Sequence, residues 1–326
     1  MHHDVELHGR LAGRIEWQLL NQDGSVAQSG HQPNMIVDRG MNIFGTNANH
    51  LNTGSGSHFG DWRNYLCVGT GSTAPAVTQS ALVAEVMRGS ADAGISPTNT
   101  VAVAAGVATG SFTQTRILNI SASYNLTEFG LSDVSTAGGL LCIRELFRDG
   151  GGNPISLSVQ AGQQLQLTHT LDITLTYGSG VASQFDLTGV GTLQGSATWF
   201  SGSGATNIID MFTRGFNPGQ TTIWHGRPLD GANTGAPDVV GGSFSGTSDT
   251  ISSTPTTYVA GSFERIRTVV WDTGVANYAH YGWMFGYVYS FPYSGYKFVL
   301  SNPATMTKTS ANRLTLNMKT TWGRAA

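Results

Sequence analysis

The chain has 326 residues, a net charge of -3 and only 11% charged residues, well under the ~25% usual for soluble domains. Lysine is nearly absent, three residues (Lys297, Lys308, Lys319) against 14 arginines, while glycine supplies 43. Scarce Lys and Glu argue against helical bundles, an aromatic content of 10% argues against disorder, and no apolar run approaches the ~20 residues of a membrane-spanning helix.

What remains is an all-β protein with long Gly/Ser/Thr-rich loops. The opening residues Met1-His2-His3-Asp4-Val5-Glu6 carry no apolar signal core. Cys67 and Cys142 each sit in an apolar, strand-like run and read as buried free thiols, since an unpaired cysteine behaves as a small hydrophobe.

The first clear strand is 15–19, where apolar residues alternate as they do when one sheet face is buried. Asn21-Gln22-Asp23-Gly24 supplies a turn, and Ser25-Val26-Ala27 the return strand of a hairpin. Residues 45–61 read as a surface loop. A short strand at 66–68 ends in Gly69-Thr70-Gly71, 81–87 reads as a short helix or irregular segment, and 89–110 as loop. Strands resume at 112–120 and 140–147. The alternation Leu165, Leu167, His169, Leu171, Ile173, Leu175, Tyr177 marks a half-buried antiparallel strand. Gly178-Ser179-Gly180 then offers a domain end.

The second half repeats pieces of the first. Gly110-Ser111-Phe112 followed by Arg116 recurs as Gly261-Ser262-Phe263 followed by Arg267. Phe129-Gly130-Leu131 corresponds to Phe285-Gly286-Tyr287, Asn34-Met35-Ile36 to Asn207-Ile208-Ile209, and the strand ending at Tyr177 to 314–322. The expected fold is therefore two antiparallel β-sandwich-like domains, residues 1–178 and 179–326, the second a diverged copy of the first.

Charge is segregated. No acid follows Asp272, and Lys297, Lys308, Arg313, Lys319 and Arg324 leave the remainder basic. Such a dipolar chain could dock its basic end on an acidic neighbour or stack head to tail.

Catalytic signatures are weak. Gly69-Thr70-Gly71-Ser72-Thr73 lacks the Gly-Lys-Ser/Thr of a phosphate loop, and Ala74 stands where a dinucleotide loop needs its last glycine. His2, His3, His8, His50 and His58 lack zinc-ligand spacing. No Gly-x-Ser-x-Gly elbow occurs in a strand-to-helix context. Glu145 with Asp149, or Asp61 and Asp272 beside Trp62 and Trp271, could serve glycoside hydrolysis, which needs two carboxyls ~5–9 Å apart across a cleft. No enzyme activity, cofactor or metal is expected.

The most unusual local feature is the set of consecutive odd positions Tyr281, Trp283, Phe285, Tyr287, Tyr289, Phe291 and Tyr293. On an extended strand these share one face. Core packing, a subunit interface and a carbohydrate-stacking platform compete for it, with core and interface ranked first. Alanine at Trp283 and Tyr287 is expected to impair assembly of a folded subunit. Stacking on nucleic acid would need nearby positive charge, and 273–296 holds none.

One segment carries a resemblance. Tyr65-Leu66-Cys67-Val68-Gly69-Thr70-Gly71-Ser72-Thr73-Ala74-Pro75, then Thr78-Gln79-Ser80-Ala81-Leu82 and Glu85, resembles a strand, Gly-Thr-Gly-x-Thr-x-Pro turn and Ala-Leu-x-x-Glu stretch of tailed-bacteriophage virion proteins. Upstream, Asn34-Met35-Ile36-Val37-Asp38-Arg39-Gly40-Met41 is similar to their Asn-x-Ile-x-x-x-Gly-Leu segment, with Met41 in place of Leu. The match covers about residues 15–177. It is a turn and packing signature that transfers no active site. It implies a non-enzymatic homo-oligomeric component of the tail, collar/neck or fibre, partnered by other tail or neck proteins and located in the virion. A receptor-binding fibre or lectin-like module contacting host glycan is the alternative, and a polysaccharide depolymerase a third class. Neither nucleic-acid binding nor membrane insertion is expected.

Overall fold

The structure is a computed structural model describing residues 5–45, 63–92, 94–95, 98–104, 107–176, 179–187, 191–201, 224–228, 252–255, 257–287 and 294–325. Strand accounts for 58% and helix for 4%, in largely antiparallel sheets, so the all-β class holds.

The chain up to residue 176 contributes β1 (Val5–Leu20), β2 (Val26–Ile36), α1 (Asp38–Ile43), β3 (Tyr65–Gly69), β4 (Glu85–Gly89), β5 (Ala91–Asp92) and β6 (Thr98–Ala104). It continues with β7 (Val107–Asn119), β8 (Tyr124–Leu126), β9 (Glu128–Ser132), β10 (Leu141–Leu146), β11 (Leu157–Val159) and β12 (Gln164–Thr176). Then follow β13 (Ser179–Leu187), β14 (Gly191–Ser201), β15 (Trp224–Pro228), β16 (Ser252–Pro255) and β17 (Glu264–Trp271). The last elements are β18 (Ala279–His280), β19 (Gly282–Tyr287), β20 (Ser294–Asn302), β21 (Met306–Thr307) and β22 (Leu314–Arg324).

β1 is the hub. One edge pairs antiparallel with β12 from His8↔Thr176 to Leu20↔Gln164. The other edge is shared, by antiparallel β2 over Gly13–Leu20 and by parallel β22 over Val5–Leu11. From β2 the sheet runs through β10, β9, β3 and β4. β5 follows β4 closely and pairs with β7, which pairs with β12 and so leads back to β1. The result is a nearly closed, barrel-like sheet.

Period-two alternation fills its inside. Leu11, Ile15, Trp17 and Leu19 of β1 meet Leu165, Leu167, Leu171, Ile173 and Leu175 of β12, all buried, each contributing on the order of 1.5–3 kcal/mol by leaving water. The Trp17 ring meets Phe147 edge-on at 5.6 Å. A Cβ at Gly30 would lie 2.6 Å from the Trp17 indole, so the hairpin partner of Trp17 has to be glycine. On the opposite faces of β7 and β12, Thr113 and Thr115 bond to Thr170 and Thr168 at 2.9 Å.

Strand order repeats along the chain. The path β1-β2-β10-β9-β3 has its counterpart in the five-stranded sheet β13-β14-β20-β19-β15. The small pair β8/β11 corresponds to β18/β21, and β6-β7-β12 to β16-β17-β22. Register is kept too: Arg116 faces Leu167 and Arg267 faces Met318, both partners displaced by the same 151 positions. One connection differs. β12 pairs antiparallel with β1, the first strand of its own half, whereas β22 pairs parallel with β1 instead of with β13. Strands from beyond residue 178 therefore share a sheet with β1.

Several local expectations change. Residues 81–87 are not helical, because Glu85–Gly89 is β4. The expected loop 89–110 holds β5 and β6, edge strands of small residues whose alternation is too faint to read. Helix α1 was not foreseen; it is six residues long, with Gly40, Met41 and Ile43 buried. At the expected domain end, Gly178 lies outside the described residues and β13 begins at Ser179. Asn207-Ile208-Ile209 also lies outside the described residues.

Candidate functional site

The glycine turn after β3 closes on a buried ion pair. β3 delivers Gly69-Thr70-Gly71 to the end of β9, where Glu128 is wholly buried. Glu128 Oε1 accepts the backbone N–H groups of Gly71 (3.1 Å) and Ala84 (2.8 Å), and Oε2 that of Val83 (3.1 Å). Arg144 of β10, also wholly buried, donates to Glu128 Oε2 at 2.7 Å from one nitrogen and 3.2 Å from another. The same guanidinium donates to Gln79 Oε1 at 2.8 Å and to the Thr73 carbonyl at 2.9 Å. Thr127 Oγ1 closes the loop by donating to the Gly71 carbonyl at 2.8 Å.

A single buried ion pair thus ties down 71–84 from both ends. The two glycines are required by closeness. A Cβ at Gly69 would lie 2.6 Å from Glu128 Oε1 and from the Ala84 carbonyl, and one at Gly71 2.5 Å from Glu128 Oε1 and from Val83 Cβ. Gly71→Ala should therefore destabilise the protein by about 1–3 kcal/mol, the usual range for forcing atoms into a packed site. The shift in urea midpoint against wild type measures it, and an unchanged midpoint would show that the loop has room.

Around this clamp lie further arginine pairs. Arg88 meets Glu85 at 2.8 Å, with both side chains nearly buried, and reaches Ser132 and the Val134 and Gly139 carbonyls. Arg39 meets Asp133 at 2.8 Å and Cys142 Sγ at 3.4 Å. Hydrogen bonds and charge from Asp133 raise the Arg39 pKa against the opposing effect of burial, which is the larger single influence. Cys67 and Cys142 are free and buried. Burial pushes the Cys67 thiol up to about 12 and raises Cys142 also, so neither is a nucleophile at neutral pH.

The segment 34–41 has a different use. It ends in α1, which is gripped by the C-terminal strand. Trp322 Nε1 donates to the Met41 carbonyl at 2.8 Å, and the Trp322 ring stacks on Tyr258 at 5.8 Å. Tyr258 Oη donates to Asn42 Oδ1 at 2.7 Å, which also accepts the Gly261 N–H at 2.8 Å. Arg324 pairs with Asp38 at 2.6 Å and donates to the Ile36 carbonyl.

The basic end of the sequence is used in the same inward manner. Lys308 is buried and donates to the Asp272 carbonyl and Asn277 Oδ1. Arg313 pairs with Asp272 at 3.2 Å and Lys319 with Glu264 at 3.0 Å. Four of the five late cations thus meet partners in this chain; the side chain of Lys297 is not described. The charge segregation, open to reading as a solvated surface or as a docking end, is used in pairs within the chain, from buried Lys308 to the exposed Arg313–Asp272 pair.

Arg63 enters the barrel just after the expected loop 45–61, of which 46–61 lie outside the described residues. It is buried and donates to the Phe112 carbonyl (2.8 Å), the His169 carbonyl and His169 Nδ1 (both 3.1 Å). Burial, then the charge of Arg116, lowers its pKa to about 9. His169 is buried as well, and burial followed by the Arg63 charge holds its pKa well below 6.5. An acceptor role for Nδ1 assigns the neutral ring to the Nε2–H tautomer. In the unfolded chain His169 binds a proton near pH 6.5, earlier than in the folded one. Its stabilising contribution is thus complete above pH 6.5 and falls as pH drops below that value, by up to ~1.4 kcal/mol per unit. Urea unfolding from pH 7.5 down to 5 should show this slope, and His169→Gln should flatten it; equal slopes in the two proteins would refute the assignment.

The aromatic run divides. Tyr281 is half-buried, and Trp283 has no exposed surface. Trp283 stacks on Phe298 at 6.1 Å, and its Nε1 donates to His280 Nδ1 at 3.0 Å, while His280 Nε2 donates to the Ala276 carbonyl at 2.8 Å. Trp283 therefore packs inside the chain. Phe285 and Tyr287 lie on β19, their side chains not described, and Tyr289, Phe291 and Tyr293 lie outside the described residues.

The weighed carboxylates have local partners. Asp272 bonds to Arg313, and its neighbour Trp271 is buried, leaving no ring face for a sugar there. Glu145 pairs with Arg148 at 3.1 Å, and Asp149 caps its own turn through the Gly151 and Asn153 N–H groups. Asp61 and Trp62 lie outside the described residues. Among the described residues no group of three or more His, Cys, Asp or Glu side chains is placed to hold a metal. No described helix is long and apolar enough to cross a membrane.

The clamp residues Glu128 and Arg144 were missed in the sequence. Their only signal was charge on two strands otherwise rich in apolar residues, Glu128 at the start of β9 and Arg144 beside Glu145 in β10, a pattern that implies a buried partner. No family model matches the chain, and no curated protein or solved structure is similar to it.

Proposed function

We propose that the chain is a non-enzymatic structural protein of a tailed-bacteriophage virion, a homo-oligomeric component of the tail, collar/neck or fibre. In this reading residues 1–178 and 179–326 are two copies of one β unit, and its partners are further copies and neighbouring tail or neck proteins. The observation that carries it is the use made of the Gly-Thr-Gly-Ser-Thr-Ala-Pro segment. Its glycines and carbonyls close on the buried Glu128–Arg144 pair, so the residues on which the resemblance rests serve architecture. Repetition of strand order supports the reading further, since a doubled unit offers related surfaces to successive neighbours.

Mass spectrometry of density-purified particles, followed by gold labelling of a tagged chain, tests it. The chain should be present in stoichiometric amount, with label confined to the tail apparatus. Particles free of the chain would overturn the proposal.

A further inference from the structure

β13 lies at the end of its five-stranded sheet, bonded to β14 from Leu187↔Gly191 to Ser179↔Thr198. No other described residue pairs with it. Its counterpart β1 is not left open: antiparallel β12 covers that strand from His8 to Leu20. The strand equivalent to β12 is β22, matched in register through β17, but β22 is held by β17 on one side and by β1 on the other. The second half thus has a position for an antiparallel strand that no described strand of the chain fills.

We propose that β13 of a second copy fills it, joining two five-stranded sheets across a two-fold axis. The internal repeat sets the direction, because the strand on β1 is antiparallel, and a two-fold axis normal to a sheet sets an edge strand antiparallel to itself. Composition agrees. Natural edges discourage pairing with Lys or Pro, and the segment 179–187 has neither, nor any Arg. Its one charge is Asp186. With the axis at Ser183, Asp186 faces Gly180, which holds the two Asp186 positions about 20 Å apart along the strands, beyond the ~8–10 Å screening length. The edge is self-complementary in direction, and its like charges stay apart.

The inference rests on the homo-oligomer part of the proposed function and names the contact. Light scattering on the purified chain should give twice the 34.4 kDa chain mass. Among Val181→Cys, Ala182→Cys, Ser183→Cys, Gln184→Cys and Phe185→Cys, the variants nearest the axis should oxidise to a covalent dimer. Of the neighbours Ser183→Pro and Gln184→Pro, one removes an outward N–H and should abolish the dimer while keeping the circular dichroism of the fold. A monomer at the highest soluble concentration overturns the inference, as does a dimer that no β13 cysteine cross-links and neither proline dissociates. The two proposals fail separately: a β13-linked dimer absent from particles overturns the virion role alone, and a monomer present in particles overturns the edge pairing alone.

Discussion

Glu128→Gln should lower the unfolding free energy by about 3–5 kcal/mol, the range for removing one member of a buried ion pair. Arg144 would stay wholly buried with its charge uncompensated, and the carboxylate oxygens that accept from Gly71, Val83 and Ala84 would give way to an amide. Only one amide oxygen can accept, so at least one of those N–H groups loses its partner. A guanidinium-chloride titration measures the loss. The double variant Glu128→Gln with Arg144→Met should recover much of it, since apolar replacement of a whole buried pair is often near neutral. If the double variant is as unstable as the single one, the backbone bonds to Glu128 dominate and the ion pair is secondary. A loss below about 1 kcal/mol in the single variant, the level of exposed pairs, would mean that the site is wet.

Trp283→Ala should cost about 3–5 kcal/mol, the usual range for emptying a large buried aromatic site. The variant removes the ring stacked on Phe298 and the donor to His280 Nδ1, both in the interior. Trp283→Phe keeps a ring on Phe298 and loses the hydrogen bond, so it should cost less, about 1–3 kcal/mol. Thermal unfolding of the three proteins separates packing from hydrogen bonding. This replaces the expectation that alanine at Trp283 reports on assembly: a variant that weakens the fold cannot report on a contact between subunits.

The sequence revealed the fold where one face of a strand is apolar over many residues. β12 is legible because six of its alternate positions from Leu165 to Leu175 point inward, and β1 for the same reason from Ile15 to Leu19, its earlier part from Val5 going unread. Arg116 and Arg267, matched in the sequence by their spacing, occupy equivalent registers against β12 and β22. β5 and β6 escaped because edge strands built of Ala, Thr and Asn carry little pattern. α1 escaped because six residues are too few for helical periodicity. The glycine turn was legible as a turn, yet its partners Glu128 and Arg144 lie 57 and 73 positions downstream of Gly71, where local pattern carries no information; contact between them follows only from the pairing of β3, β9 and β10. The partners of the late cations were illegible for a related reason. A count of charges shows that Asp38 and Arg324 differ in sign but not that β1 and β22 lie side by side and bring them together.

That parallel pairing of β1 with β22 also sets an order of events during synthesis. Val5 finds Met318 and Leu11 finds Arg324, so one stretch of the first strand waits for partners that are synthesised some 313 positions later. Until then β12 can already cover the opposite edge of β1 and β2 can fold back on it, leaving the edge of β1 from Val5 to Leu11 uncovered. Contacts this distant in sequence form late and slowly, and an unpaired seam in a nascent chain is where misassembly begins. Chain elongation through the second half is therefore the interval in which this protein most needs protection from its own copies.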